Sequence, residues 1–425
     1  MDLMTQLFML LIVATTLGTL YLDYRQLRTV TAHRERVPEA FAASITLQEH
    51  QKAADYTVAK LKLGAVSGLY SVPLLLFWTL GGGLQWLETS VSHWHWGQPW
   101  HGVAVLLLFS FASSLLMLPL SLYQTFYLEQ RFGFNRTTVS TFMGDMVKQI
   151  ALSIALGVPL LALILWLMAS SGDFWWLWVW LTWLLFSLLM MWIYPNWIAP
   201  IFNKFEPLSD QALVQRIEKL LQRCQFNANG LFVMDGSRRS SHGNAYFSGF
   251  GRNKRIVFFD TLLKELTGDQ LEAVLAHELG HFRRKHIPKR IAMTALLSLL
   301  SLALLGYLEQ QLWFYQALGV EQPSEHIALL LFMLLLPLVG FFLQPLFALS
   351  SRKHEFEADQ YAAEQSSAID LISALVTLYR ENAATLTPDP LYSTFHDSHP
   401  PAPVRIARLQ QNSDLNRPTY PNGEQ

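Results

Sequence analysis

Three residues in this chain have the types and spacing to hydrolyse a bond with a metal. They are His277, Glu278 and His281, within His277-Glu278-Leu279-Gly280-His281, an H-E-x-x-H pattern. Residues four apart on a helix share a face, so both imidazoles can offer a nitrogen to one ion. Glu278, one step round, can reach a water on that ion and take its proton. A catalytic zinc needs a third protein ligand and an open position. A third histidine six residues on is ruled out, because Arg284 and Ile287 stand where the glycine and histidine of that pattern belong. The one later stretch with carboxylates at a useful spacing is Arg352-Lys353-His354-Glu355-Phe356-Glu357-Ala358-Asp359. Glu355 and Asp359 share a face, whereas Glu357 is turned about 200° from Glu355. Glu355 is the better ligand, since Asp359 can then accept an N–H from a ligating histidine. Ala358 and Ala362 beside that face would let a second helix come close. The expected cofactor is one Zn²⁺ per chain, held by His277, His281 and Glu355.

The elements that must position these residues are mostly apolar. The chain is 52% hydrophobic and 15% charged, with 14 tryptophans and 27 phenylalanines, against about 25% charged residues in soluble proteins. It is a membrane protein. A net charge of −1 gives no support to nucleic-acid binding, and the single cysteine excludes a disulfide framework or a Cys-rich metal site. Charge-free runs long enough to cross a bilayer cover approximately Leu3–Leu22, Leu63–Leu87, Val103–Leu128, Ile150–Ala169, Phe174–Trp197, Ile291–Leu308 and Ile327–Ser350. The connecting loops alternate between Lys/Arg-rich and Lys/Arg-free. By the positive-inside rule the N-terminus lies outside and the catalytic stretch and C-terminus inside; in a bacterial cell this would be the inner membrane.

Five segments follow: 1–197, five spans with cytoplasmic loops; 198–290, a cytoplasmic insertion with the motif helix; 291–351, two spans; 352–411, the third-ligand helix and C-terminal cytoplasmic segment; and 412–425, a disordered polar tail. Within the insertion, apolar spacing predicts an amphipathic helix over Ser209–Cys224. Three short strands follow, around Leu231–Met234, Ala245–Phe250 and Arg255–Phe259, the last two forming a hairpin across Gly251-Arg252-Asn253. Thr267 and Gln270 have the spacing of a capping box at the start of the motif helix.

Together these residues resemble the type I CAAX prenyl endopeptidases, integral-membrane gluzincin proteases. Beyond the two metal motifs, the resemblance includes Gly133–Arg136, Tyr194–Phe205, Gly236–Phe250, Asn253–Leu263 and Ser398–Arg405, nearly continuous from Glu129 to Arg408. It implies an all-α multi-pass protein whose seven helices enclose an intramembrane chamber, with a small α+β cytoplasmic zinc-protease insertion. It also implies cleavage near the C-terminus of a prenylated peptide. On matching positions it assigns Asn244 to a substrate-facing edge strand, His399 to the neighbourhood of the scissile carbonyl, and Arg405 to substrate contact. His286 and His396 read as structural or surface residues. The expected partners are a peptide or protein substrate, prenylated or not, and the lipid bilayer. Two alternatives stand beside this reading: a broad-specificity quality-control metalloprotease of the membrane, and a non-catalytic seven-helix receptor or transporter. The six spans away from the metal region carry no charge of the kind that marks a transport path.

Overall fold

The computed structural model describes residues 2–248 and 254–415. It divides into two compact units. One comprises Met1–Asp23, Lys60–Phe202 and Arg290–Leu343; the other comprises Tyr24–Ala59, Asn203–Lys289 and Gln344–Gln425.

Among the described residues, seven helices are long and apolar enough to span a membrane: Leu3–Ala32, Leu47–Trp78, Trp100–Phe132, Val139–Ser170, Gly172–Phe202, His286–Leu308 and Glu325–Gln365. Most run past the apolar stretch that announces them, because intrahelical hydrogen bonding continues wherever the backbone is not interrupted. The second span is the exception. The apolar run continues to Leu87, but the helix stops at Trp78 and a separate short helix, Gly83–Ser92, carries the remainder. Gly82, at φ +77°, is the residue from which the short helix starts, a left-handed conformation that glycine adopts at low cost. Core residues such as Leu84, Val91, Val105, Leu165, Leu305 and Leu331 hold this unit together. Phe111, Leu185 and Leu300 are more than half exposed, as an apolar surface is when lipid is its solvent.

The second unit contains a four-stranded sheet in the order β1-β2-β4-β3, formed by β1 (Phe205–Pro207), β2 (Leu231–Met234), β3 (Ala245–Ser248) and β4 (Arg255–Phe259). β2 and β4 run parallel, while β1–β2 and β3–β4 are antiparallel. Ala245 lies opposite Phe258 and Ser248 opposite Arg255, so the expected hairpin forms; its turn, 249–253, lies outside the described residues. β1 escapes a sequence reading because three residues ending in proline carry no alternation to detect.

The amphipathic helix is Gln211–Arg223, with the Asp210 carboxylate accepting from the amides of Ala212 and Leu213. Its buried Leu213, Ile217, Leu220 and Leu221 pack with Ile256 and Phe258 of β4 and with Leu271, Leu275 and Leu279 of the motif helix. The motif helix runs Gly268–Arg283, and its capping box is complete: Thr267 accepts from the Gln270 amide and the Gln270 side chain accepts from Thr267 N–H. One face of this helix is therefore fixed against the core, which leaves the histidine face to meet the C-terminal half of Glu325–Gln365. The C-terminal helix Ala402–Leu415 extends beyond Asn412, where the polar tail was expected to begin, and the rest of that tail lies outside the described residues.

Gly280 sets the approach of these two helices. A Cβ there would stand 2.9 Å from Ala358 Cα and 3.1 Å from its carbonyl oxygen. Backbone atoms cannot rotate away as a side chain can. Gly280→Ala should therefore destabilise the protein by about 1–3 kcal/mol and weaken its hold on a metal. Thermal unfolding and metal content measured on the same preparation check both effects; unchanged values would mean the helices are not in contact through this residue.

Candidate metal centre

His277 and His281 project from the motif helix toward Glu355 on the helix Glu325–Gln365. Nε2 of His277 lies 3.3 Å from Nε2 of His281. Glu355 closes the triangle, with Oε2 3.4 Å from His277 Nε2 and Oε1 3.3 Å from His281 Nε2. A tetrahedral ion with bonds of about 2.0–2.1 Å has ligand–ligand edges of about 3.3–3.4 Å. The edge between the two rings matches that figure, each ring nitrogen stands at about the same distance from a different Glu355 oxygen, and all three spacings are longer than ordinary hydrogen bonds, which centre near ~2.9 Å. Glu355 is 3% exposed, and its Oε2 is buried without a hydrogen-bond partner. A buried carboxylate oxygen left without a donor is costly unless a cation satisfies it. The residues present fit a zinc-sized ion.

The other ring nitrogen of His277 is engaged as well. Nδ1–H donates to Asp359 Oδ1 at 2.8 Å, which leaves Nε2 facing Glu355 and His281. Asp359, 3% exposed, is held in turn by Arg405, whose Nε and Nη2 donate to its two oxygens at 2.8 and 2.5 Å. Burial opposes the charge on Arg405, but the Asp359 pair outweighs it and raises the guanidinium pKa. For His277, burial likewise favours the neutral ring, yet its hydrogen bond to Asp359 and the facing Glu355 carboxylate win and push the metal-free pKa up to about 9.

Arg405 was expected among the substrate contacts. Its side chain is buried and gives its two-pronged face to Asp359, while Nη1 stands 3.7 Å from Glu355 Oε2. His399 lies in the loop before the C-terminal helix, largely solvent-exposed, with Nε2 3.4 Å from Glu355 Oε1. Asn244 is exposed immediately before β3, the outer strand of the sheet; its side-chain oxygen accepts from Ala245 N–H and its carbonyl from Phe259 N–H. Glu278 follows His277 on the motif helix and is half-buried. His286, expected to be structural or at the surface, is buried with Nδ1 3.0 Å from Nδ1 of His281. No sequence spacing points to that contact, because the chain leaves the helix between them.

A second group of two histidines and a glutamate, Glu88, His101 and His326, occurs in the first unit. There each carboxylate oxygen lies 2.8 Å from one ring Nε2. These are hydrogen-bond lengths, and the group is a carboxylate clasped between two rings.

Two family models cover the chain in succession. The N-terminal CAAX prenyl protease model of five membrane helices matches residues 26–204, and peptidase family M48 matches residues 207–413. The chain belongs to the M48 family of CAAX prenyl proteases. This M48 protease is 35% identical to a CAAX prenyl protease 1 homolog of Oryza sativa subsp. japonica, over 92% of its length and 93% of the relative's. It is 34% identical to CAAX prenyl protease 1 of Saccharomyces cerevisiae, over 93% and 92%. Its fold matches the crystal structure of S. mikatae Ste24p with a TM-score of 0.89 at 32% identity, covering 96% of this chain and 99% of that one. The M48 protease is an integral-membrane metalloendopeptidase, and a receptor or transporter reading falls away.

Two outcomes follow from the geometry. Glu355→Gln should strip the metal from the purified M48 protease, read as metal per chain; full retention would remove Glu355 from the ligand set. Zinc must also displace the proton that His277 holds in the metal-free protein. Affinity should therefore fall about tenfold per pH unit below about 9, measured by chelator competition between about pH 6.5 and 8.5. A flat profile would mean the ring is already neutral there.

Proposed function

We propose that the chain is a zinc-dependent endopeptidase that cuts near the C-terminus of C-a-a-X-type peptides carrying a prenyl group. The observation that carries the metal chemistry is the triangle of His277, His281 and Glu355, with edges of 3.3–3.4 Å around an unsatisfied carboxylate oxygen. The substrate class rests on likeness to curated CAAX prenyl protease 1 relatives over more than nine-tenths of the chain.

Bound zinc would polarise the scissile carbonyl and make water a nucleophile at neutral pH. Glu278, beside His277 and half-buried, takes the proton from the attacking water and returns it to the leaving nitrogen. His399, exposed and 3.4 Å from Glu355 Oε1, faces the carbonyl oxygen and stabilises the charge that develops there. Asn244 and the outer strand β3 receive the substrate as an added extended strand, with backbone hydrogen bonds giving affinity. Arg405 acts through Asp359 on the orientation of His277. The loop charges support a cytoplasmic site, a cytoplasmic C-terminus and an N-terminus outside. An intramembrane chamber between the seven helices would take up the lipid.

Glu278→Gln should keep its zinc and lose turnover by about 10²–10⁴-fold; near-normal turnover would remove it as the base. That variant is the blank for a second measurement, in which purified protein receives two peptides of one C-a-a-X sequence, farnesylated and bare. Cleavage of the farnesylated peptide alone is expected. Equal cleavage of both would favour a broad membrane peptidase on the same site, and cleavage of neither by the zinc-loaded protein would overturn the substrate class.

A further inference from the structure

His277 and His281 face the same ion with Nε2, so each has its Nδ1–H left to place. For His277 the acceptor is Asp359. For His281, the partner of Nδ1 among the described residues is another imidazole: Nδ1 of His286, 3.0 Å away. That contact works in one proton arrangement only. His281 donates, so His286 must accept at Nδ1 and carry its own proton on Nε2. Nε2 of His286 lies 2.9 Å from Glu357 Oε2, a carboxylate that can only accept while ionised. Glu357 thereby fixes the tautomer of His286, and His286 in that tautomer fixes the ring of His281.

Backbone and packing fit this task. In one continuous helix, residues five apart lie about 140° apart round the axis, so His286 could not meet His281. Instead the motif helix ends at Arg283, Lys285 adopts φ +55°, and a new helix begins at His286. The left-handed residue turns the His286 ring back. His286 is 4% exposed, and its ring stacks on His354 with centroids 4.1 Å apart and planes inclined by 16°. Glu357 is turned away from the metal triangle, as its place on the helix requires, and that orientation is what brings it to His286.

We propose that His286 and Glu357 are positioning residues for the metal: Glu357 sets the tautomer of His286, and His286 holds His281 by accepting its Nδ1–H. The proposal rests on the zinc reading above. It gives the two histidine ligands matched supports of different chemistry, Asp359 with Arg405 behind one and His286 with Glu357 behind the other.

The test is zinc affinity of the purified full-length protein, by competition with a chromophoric chelator. His286→Ala and Glu357→Ala should each weaken zinc about 10–100-fold. His286→Asn puts an amide oxygen about where Nδ1 stood and should restore affinity to within about threefold of wild type. The deciding measurement is Glu357→Ala in the His286→Asn background. Asparagine has no tautomer to set, so the second substitution should then cost less than about twofold. An equal cost in both backgrounds would overturn the relay, as would wild-type affinity in Glu357→Ala, a substitution at a partly exposed site that the fold should tolerate. His281→Ala is the control for the underlying reading. If it binds zinc like wild type, the ligand assignment fails and the proposal with it; if it loses zinc while the His286 and Glu357 variants do not, the proposal alone fails.

Discussion

Two carboxylates one helical turn apart, both almost wholly removed from water, are the constraint on which the catalytic unit is built. Glu355 and Asp359 would repel each other and lose their hydration at the same time. Asp359 is compensated within the protein, by the fork of Arg405 and by His277 Nδ1–H. Glu355 is compensated only in part, since one oxygen is buried with no donor. The arrangement thus settles one negative charge internally and leaves the other to attract a cation held by two imidazoles. Breaking a buried pair of this kind leaves an uncompensated charge, a far larger penalty than the pair's net contribution. Arg405, drawn from a helix 46 residues further along the chain, is as much a part of the site's electrostatics as the ligands are.

The same economy governs packing. The motif helix has one face in the core with Leu271, Leu275 and Leu279 and the other toward the metal, so small residues must mediate its contact with the partner helix. Gly280 against Ala358 provides that. Distances of 3.3–3.4 Å between side chains of two separate helices require the helices themselves to be fixed within a few tenths of an ångström. A capped helix seated in a core and touching backbone to backbone is stiff enough to do it.

What the sequence makes legible is whatever lies on one regular element. His277, Glu278 and His281 are readable because helical spacing alone puts them together, and Glu355 and Asp359 for the same reason; the seven spans are readable because lipid demands long apolar runs. Contacts that depend on an irregular backbone are not. His286 meets His281 only because Lys285 departs from helical dihedrals. The second helix ends at Trp78, although the apolar run continues through it to Leu87. Arg405 carries a charge suited to a substrate carboxylate, and nothing in its local sequence tells that the carboxylate it meets is Asp359.

The helix Glu325–Gln365 is 41 residues long without a break, and it contains both a bilayer-spanning stretch and Glu355. A single residue inserted between Glu355 and Asp359 would swing everything beyond it through about 100° and advance it about 1.5 Å, taking Asp359 off the face it shares with Glu355. Two full turns, about seven residues, nearly restore the angle but displace Asp359 by roughly 10 Å. Neither step is small, so this stretch can vary in its side chains and hardly at all in its length.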